Sequence, residues 1–224
     1  MLDSRNYLLI PMANVANLSE HEQATRRALR TSLRAKRNAL TLAEQQTAAE
    51  GLLDVAQSIL NDSHIIAAYL PNDGEISPQC LINKAWGQGK TIALPVLHPF
   101  HPYTLLFVEY RADSTMTNNR YGIPEPRLSA NNIIPVHLLD TIFVPLVGFD
   151  VKGNRMGMGG GFYDRTLAYL TQQQRVGYTP EPILTQPNLI GLAHSVQQID
   201  AIPVAQWDIP MSHIMTEQSC ITIA

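Results

Sequence analysis

A dense glycine cluster limits what this chain can fold into. Four of the five residues at 157–161 are glycine, and they lie between an apolar run at 141–147 and a helix-like stretch at 162–174. The apolar run predicts a buried strand. Without Cβ atoms, the loop's N–H groups can approach an anion closely, and the start of the next helix favours negative charge. The pattern predicts an α/β unit with an anion-binding loop.

Charged residues surround the loop and narrow its interpretation. Arg155 and Arg165 flank it, and Asp164 is a candidate metal ligand. The loop lacks the Lys-Ser/Thr pair of a P-loop, and the third glycine of the dinucleotide fingerprint is out of place. A glycine-rich connector without a ligand is the alternative interpretation.

Length and composition favour one globular domain. The chain has 224 residues, 45% of them hydrophobic, and a net charge of −3, which favours neither a nucleic-acid nor a membrane surface. Two distant cysteines and the absence of a long apolar stretch fit a reduced, cytoplasmic protein. We expect a loosely ordered N-terminal extension at 1–18 and a single domain at 19–224.

Two capping boxes mark helix starts. Ser19 with Glu22 predicts a helix over 19–40, and Thr41 with Glu44 predicts another over 41–60. Further periodicity predicts helices at 77–88 and 162–174, and strands at 64–70, 91–97, 105–110, 141–147 and 189–193. Short β-type runs follow within 214–223. A long loop is predicted at 113–137 and a connector at 178–187. This alternation predicts the α/β class: three α/β/α layers around a mostly parallel central sheet with flanking helices.

The first helix carries a row of arginines. Arg26, Arg30, Arg34 and Arg37 recur at spacings that place them on one face. Three interpretations stay open: a solvated face, a nucleic-acid surface, or side chains that reach a phosphate in the glycine loop.

Acidic residues follow the first predicted strand. Asp73 and Glu75 come just after the strand at 64–70, where they could contact a ligand or form an ordinary polar turn. The seven histidines show no zinc-site spacing, and no Gly-x-Ser-x-Gly elbow is present. Zinc and serine-hydrolase chemistry therefore lack support.

Five segments in order carry a family resemblance. They are Arg-Arg-Ala-Leu-Arg at 26–30, Asn-Asp-Gly-Glu at 72–75, Tyr-Gly-Ile-Pro-Glu-Pro at 121–126, the run from Pro145 to Arg165, and Ile-Pro-Val at 202–204 followed by Asp208. From about Thr25 to Glu217 the sequence resembles the 5-formyltetrahydrofolate cyclo-ligase family. The resemblance implies an ATP- and Mg²⁺-dependent conversion of 5-formyltetrahydrofolate to 5,10-methenyltetrahydrofolate, through phosphorylation of the formyl oxygen and ring closure by N10.

The resemblance also implies a set of site residues. ATP contacts are expected at Arg26, Arg30, Arg155, Met156, Gly157, Met158, Gly159, Gly160, Gly161, Phe162 and Tyr163. Folate contacts are expected at Leu70, Glu75, Met158, Gly159, Gly160, Gly161 and Phe162. Arg155 and Tyr163 are the expected catalytic residues, and Asp164 and Asp208 the expected Mg²⁺ ligands. The chain departs from the family pattern at Gly160, Phe162, Trp207 and Ser212, where relatives often carry Lys, Tyr, His and Asp.

Other functions are compatible with parts of this pattern. A sugar-phosphate isomerase could use the same glycine and arginine residues, and a binding protein could hold folate and nucleotide without reaction. We expect small-molecule substrates, including polyglutamylated folate, a monomeric state, and neither nucleic-acid nor membrane partners.

Overall fold

The structure of this protein is a computed structural model that describes residues 18–176 and 186–223. The predicted extension at 1–18 and the predicted connector at 178–187 fall almost entirely outside the described residues, so both stay predictions. Within the described ranges, no helix is long and apolar enough to cross a bilayer.

The helices largely follow their predicted start signals. They are α1 Glu20–Asn38, α2 Leu42–Val55, α3 Gln57–Asp62, α4 Gln79–Gly87 and α5 Phe162–Val176. Both capping boxes form, with the Ser19 and Thr41 side chains each accepting a backbone N–H bond three residues on. The prediction of one helix over 41–60 is wrong, because the chain bends at Ala56. Ala56 is fully buried, and the bend keeps Leu52 and Leu60 in the same core cluster.

The strands are short and more numerous than the sequence predicts. They are β1 Ile65–Ala67, β2 Thr91–Leu97, β3 Leu105–Glu109, β4 Met116–Asn118, β5 Pro124–Pro126, β6 Ile133–Ile134, β7 Thr141–Pro145, β8 Gly148–Phe149, β9 Arg155–Met156, β10 Asn188–Leu192, β11 His213–Met215 and β12 Cys220–Thr222.

Eight of these strands form one mixed sheet in the order β12-β11-β10-β7-β1-β2-β3-β6. The five strands from β11 to β2 are parallel, and antiparallel strands close both edges. Neighbouring residues face opposite sides, so Ile66 and Ala67 of β1 belong to different core clusters. A core on each face of the sheet, under flanking helices, confirms the predicted layered α/β class.

Two local predictions need correction. The stretch at 113–137 is not a plain loop, because it contains β6 and the ribbon formed by β4 and β5. Pro124 and Pro126 fit that ribbon because a two-stranded ribbon has free edges, where no N–H donor is needed. The hairpin of β8 and β9 separates β7 from the glycine loop, so the strand does not lead directly into the glycines.

Replacing Leu52 with Ala tests the packing of α2. Leu52 is fully buried, whereas Leu42 on the same helix is 86% exposed. We expect Leu52→Ala to lower the free energy of unfolding by about 2–4 kcal/mol, because it leaves a cavity. Leu42→Ala is the matched control and should change it by less than about 0.5 kcal/mol. Urea denaturation measures both, and equal losses would contradict the described packing.

Candidate active site

A cavity of about 480 Å³ opens at the carboxyl ends of the parallel strands. Parallel α/β sheets usually bind ligands at this edge. The predicted site residues that line it are Arg26, Arg30, Leu70, Glu75, Arg155, Gly157, Met158, Gly159, Gly160, Gly161, Phe162, Tyr163, Asp164 and Asp208. Met156 is the exception: it is fully buried beneath the loop. One cavity therefore brings together residues that are up to 182 positions apart in the chain.

The hairpin before the glycine loop is held by Asp150. This buried carboxylate accepts hydrogen bonds from the backbone N–H groups of Lys152, Asn154 and Ile202. These bonds fix the turn that leads into β9, and β9 carries Arg155 to the cavity wall. The arginine is thus placed by a hydrogen-bonded turn that precedes the glycine loop.

The glycine loop adopts a backbone that other residues would strain. Gly159 and Gly161 have φ angles of +98° and +66°, in the left-handed region. A Cβ at Gly160 would lie 2.8 Å from the Phe162 ring. The loop therefore turns tightly and leaves its backbone open to the cavity.

Two arginines of α1 reach the cavity from the opposite side. The Arg30 Nε donates to the Gly157 carbonyl over 2.9 Å. Arg26 is buried, and its Nη1 donates to the Pro203 carbonyl over 2.6 Å and to Asp208 Oδ2 over 2.7 Å. Burial and the nearby Arg26 lower the pKa of Arg30, so an added anion would relieve unfavourable electrostatics there. The solvated-face interpretation of this helix is therefore wrong for Arg26 and Arg30.

Arg155 forms the third positive group of the site. Its Nη2 lies 2.6 Å from Asp164 Oδ1, and both side chains are largely buried. Its Nε is buried and has no hydrogen-bond partner among the described residues. A buried donor without a partner is costly, and this cost falls on a side chain that lines the cavity.

Tyr163 and Glu75 form a half-buried polar end of the cavity. The Tyr163 hydroxyl is buried without a partner among the described residues, and burial together with the Glu75 charge raises its pKa. Burial raises the pKa of the Glu75 carboxyl to about 7, against the opposing effect of Arg37. Tyr163 is therefore a proton donor in hydrogen bonds, and Glu75 changes charge near neutral pH.

Arg37 and Asp73 hold two loops of the site together. The sequence did not predict this role. Arg37 has no exposed surface; it donates from Nε to the Asp73 carbonyl over 2.7 Å and from Nη1 to the Leu146 carbonyl over 3.1 Å. Its Nη2 lies 2.8 Å from Asp73 Oδ2 and 3.7 Å from Met158 Sδ. Hydrogen bonds from Arg34, Asn38 and Arg37 lower the pKa of Asp73. This network joins the loop at 72–75, which carries Glu75, to the glycine loop at 157–161. In the sequence, only the row of arginines pointed to it.

The predicted metal ligands already have arginine partners. Asp164 Oδ1 accepts from Arg155 and from the Ile209 N–H, while both Asp208 oxygens accept from Arg26. Mg²⁺ usually takes only one or two carboxylates, together with water and substrate phosphates. Asp164 fits such a role at the cavity wall, whereas Asp208 is occupied in positioning Arg26. Within residues 18–176 and 186–223, no cluster of three or more His, Cys, Asp or Glu side chains forms a metal site.

Aromatic side chains form the rim of the cavity beside β2 and β3. The Phe162 ring lies 5.9 Å from Tyr103 and 6.1 Å from Tyr121, and the Arg165 guanidinium lies 4.9 Å from the Tyr103 ring centre. Arg165 also donates to the Gly160 carbonyl over 2.6 Å. The rim therefore supports the glycine loop from outside.

Fold and cavity together define an α/β protein whose cleft brings together arginines, a glycine loop and an acidic group. The family model for the 5-formyltetrahydrofolate cyclo-ligase family matches residues 22–217. That match covers most of the chain, and the chain belongs to this family. The resemblance seen in the sequence is confirmed.

Curated relatives support the assignment. The chain is 41% identical to the 5-formyltetrahydrofolate cyclo-ligase of Haemophilus influenzae over 192 residues, which cover 85% of this chain and 96% of that protein. It is 39% identical to the Escherichia coli K12 cyclo-ligase over 188 residues, which cover 82% of this chain and 96% of that protein.

Solved structures share the fold. The NMR structure of 5,10-methenyltetrahydrofolate synthetase from Aquifex aeolicus matches with a TM-score of 0.71 at 24% identity, over 88% of this chain and 92% of that one. The synthetase from Mycoplasma pneumoniae matches with a TM-score of 0.61 at 23% identity, over 86% of this chain and 98% of that one. At these identities the likeness supports the fold alone.

Glu75→Gln tests the electrostatics of the site. The folded-state pKa of Glu75, about 7, lies above its ordinary 4.5, so the folded protein binds more protons between these values. Stability therefore falls as pH rises from about 4.5 to 7, and the neutral Gln avoids this loss. We expect Glu75→Gln to raise the free energy of unfolding by about 1–3 kcal/mol at pH 8 and to leave it unchanged at pH 4.

Chemical denaturation across this pH range measures the effect. The same substitution at exposed Glu50 serves as the control. A gain at pH 8 that persists unchanged at pH 4 would contradict the assignment of the effect to Glu75 ionisation.

Proposed function

We propose that this member of the cyclo-ligase family converts 5-formyltetrahydrofolate to 5,10-methenyltetrahydrofolate, with ATP as co-substrate, Mg²⁺ as cofactor, and ADP and phosphate as products. The observation that carries the proposal is the arrangement of Arg26, Arg30 and Arg155 around the glycine loop, with Glu75 in the same cavity. The arginines suit a polyphosphate, and the carboxylate suits an amino-pyrimidine edge.

The polyphosphate is assigned to the glycine loop. Backbone N–H groups at 157–161 and the side chains of Arg26 and Arg30 supply positive potential from two sides. Arg155 lines the same cavity, and its guanidinium is assigned to the transferred phosphoryl group. Such catalysis works by positioning and neutralising charge, so it needs no protein nucleophile.

The folate is assigned to the end of the cavity that holds Leu70 and Glu75. The ionised carboxylate of Glu75 can accept paired hydrogen bonds from the pterin amino-pyrimidine edge. The Asn72 N–H already donates to Glu75 Oε2 over 3.1 Å and fixes its orientation. Phe162 and residues 158–161 lie at the cavity wall where the two substrates would meet.

The proposed reaction has two bond-forming steps. The formyl oxygen attacks the γ-phosphorus of ATP, and the bond to the ADP oxygen breaks. N10 then attacks the formyl carbon of the resulting iminium phosphate and loses its proton, and the carbon–oxygen bond breaks to release phosphate. Phosphorylation thus converts a poor leaving group, the formamide oxygen, into a good one.

Arg155 and Tyr163 are assigned catalytic roles in these steps. Arg155 compensates the charge that develops on the phosphoryl oxygens. The Tyr163 hydroxyl stays protonated and donates a hydrogen bond to an oxygen of the reacting group. Bound Mg²⁺ would neutralise phosphate charge, and we assign Asp164, which lines the cavity, to hold it. Asp208 as a second metal contact stays a prediction from the resemblance.

Two other functions make different predictions. A sugar-phosphate isomerase would bind phosphosugars and ignore ATP, and a binding protein would hold both ligands without forming product. The nucleic-acid interpretation loses support because Arg26 and Arg37 of the basic row are buried inside the protein.

A spectrophotometric assay tests the proposal. With 5-formyltetrahydrofolate, ATP and Mg²⁺ present, we expect a near-ultraviolet band of the methenyl product that fails to develop when any one component is omitted. Product formation without ATP, or binding of both ligands without product, would refute the proposed reaction.

Arg155→Ala tests the assigned charge compensation. We expect kcat to fall by about 10²-fold or more, as when a preorganised donor to a developing charge is removed. Arg111→Ala is the control, because Arg111 is exposed and pairs with Glu109 outside the cavity. Equal activity of both variants would show that the site assignment is wrong.

A further inference from the structure

An exposed tryptophan lines one end of the cavity. Trp207 is 38% exposed and contributes to the wall beside Arg26 and Asp208. Large aromatic side chains usually bury most of their surface. An indole that faces a ligand cavity therefore offers a flat apolar surface to whatever binds there.

The turn that carries Trp207 is held rigidly. The Ala205 N–H donates to Asp208 Oδ2 over 2.8 Å, and the Asp208 N–H donates to the Ala205 carbonyl over 3.0 Å. Arg26 then binds both the Pro203 carbonyl and Asp208, and the Ile209 N–H donates to Asp164. The residues on either side of Trp207 are thus fixed before any ligand arrives, which lowers the cost of ordering them on binding.

Helix α1 shows which end of the cavity this is. Arg26 bonds to the Trp207 turn, Arg30 bonds to Gly157 of the glycine loop, and Arg37 bonds to Asp73, two residues before Glu75. At a rise of about 1.5 Å per residue, Arg26 and Arg37 are about 16 Å apart along the helix. The order along the cavity is therefore Trp207, the anion-binding loop, and then Glu75.

We propose that Trp207 stacks against the purine base of the nucleotide. The inference rests on the proposed function, which places the polyphosphate on the glycine loop and the folate at Glu75. The base must then lie beyond the phosphates, on the side away from the folate, and Trp207 is the aromatic residue at that end of the cavity wall. Stacking on an indole gives affinity for a base without requiring hydrogen bonds to it.

Calorimetry with two probes tests the proposal. ADP carries a base, whereas inorganic triphosphate carries none. We expect Trp207→Ala to weaken ADP binding by about 10-fold or more and to leave triphosphate binding unchanged. Trp207→Phe should keep most of the ADP affinity because it retains an aromatic face, and circular dichroism checks that both variants fold.

Fluorescence gives an independent readout. The chain has two tryptophans, so Trp86→Phe leaves Trp207 as the sole tryptophan, whose emission selective excitation isolates from that of the tyrosines. Trp86 packs 5.1 Å from Tyr110 and does not line the cavity, which makes it a suitable residue to replace. In this variant we expect ADP to quench the emission and inorganic triphosphate to leave it unchanged.

The binding results separate the stacking proposal from the proposed function. If ADP binds Trp207→Ala as tightly as wild type, the base contact is wrong while the proposed function stands. If ADP and triphosphate weaken equally, Trp207 acts only through Arg26 and Asp208, and the stacking is refuted. If wild type binds no nucleotide, the proposed function itself fails.

Discussion

The arginine face of α1 is the constraint on which the site depends. Arg26, Arg30 and Arg37 bond to three different loops, each of which leaves the sheet from a different strand or hairpin. These bonds tie the three loops to a single helix. Because these arginines lie at fixed positions along one helix, the helix sets the distances between the Trp207 turn, the glycine loop and the loop that carries Glu75.

This arrangement couples stability to electrostatics. Arg37 is fully buried, and Asp73 supplies the carboxylate that makes its burial tolerable. The same guanidinium opposes the rise in the Glu75 pKa. The buried Arg37–Asp73 pair therefore helps to shape a cavity that carries arginines at one end and, at the other, a carboxyl group that changes charge near neutral pH. Such a cavity is compatible with the proposed pair of substrates, an anionic polyphosphate near the arginines and a hydrogen-bond-donating ring edge near Glu75.

Local signals made much of the fold predictable. The capping boxes at Ser19 and Thr41 mark real helix starts, because a cap is a contact between residues three positions apart. The glycine cluster located a tight loop at the cavity wall, because Gly159 and Gly161 adopt φ angles that disfavour side chains; anion binding by this loop stays a prediction. The β8–β9 hairpin, the bend at Ala56 and the ribbon within 113–137 were missed, because their strands and helical segments are too short to show a hydrophobic period. Arg37 stood in the arginine row, but its partner lies 36 positions away, so its burial was not readable.

The fate of the formyl oxygen tests the account most directly. If the cavity serves to phosphorylate that oxygen, substrate labelled with ¹⁸O in the formyl group must transfer its label to the released phosphate. Mass spectrometry of the phosphate after one turnover should find one ¹⁸O per molecule. Label released into water, with unlabelled phosphate, would contradict the account, because ATP would then be cleaved without attack by the formyl oxygen.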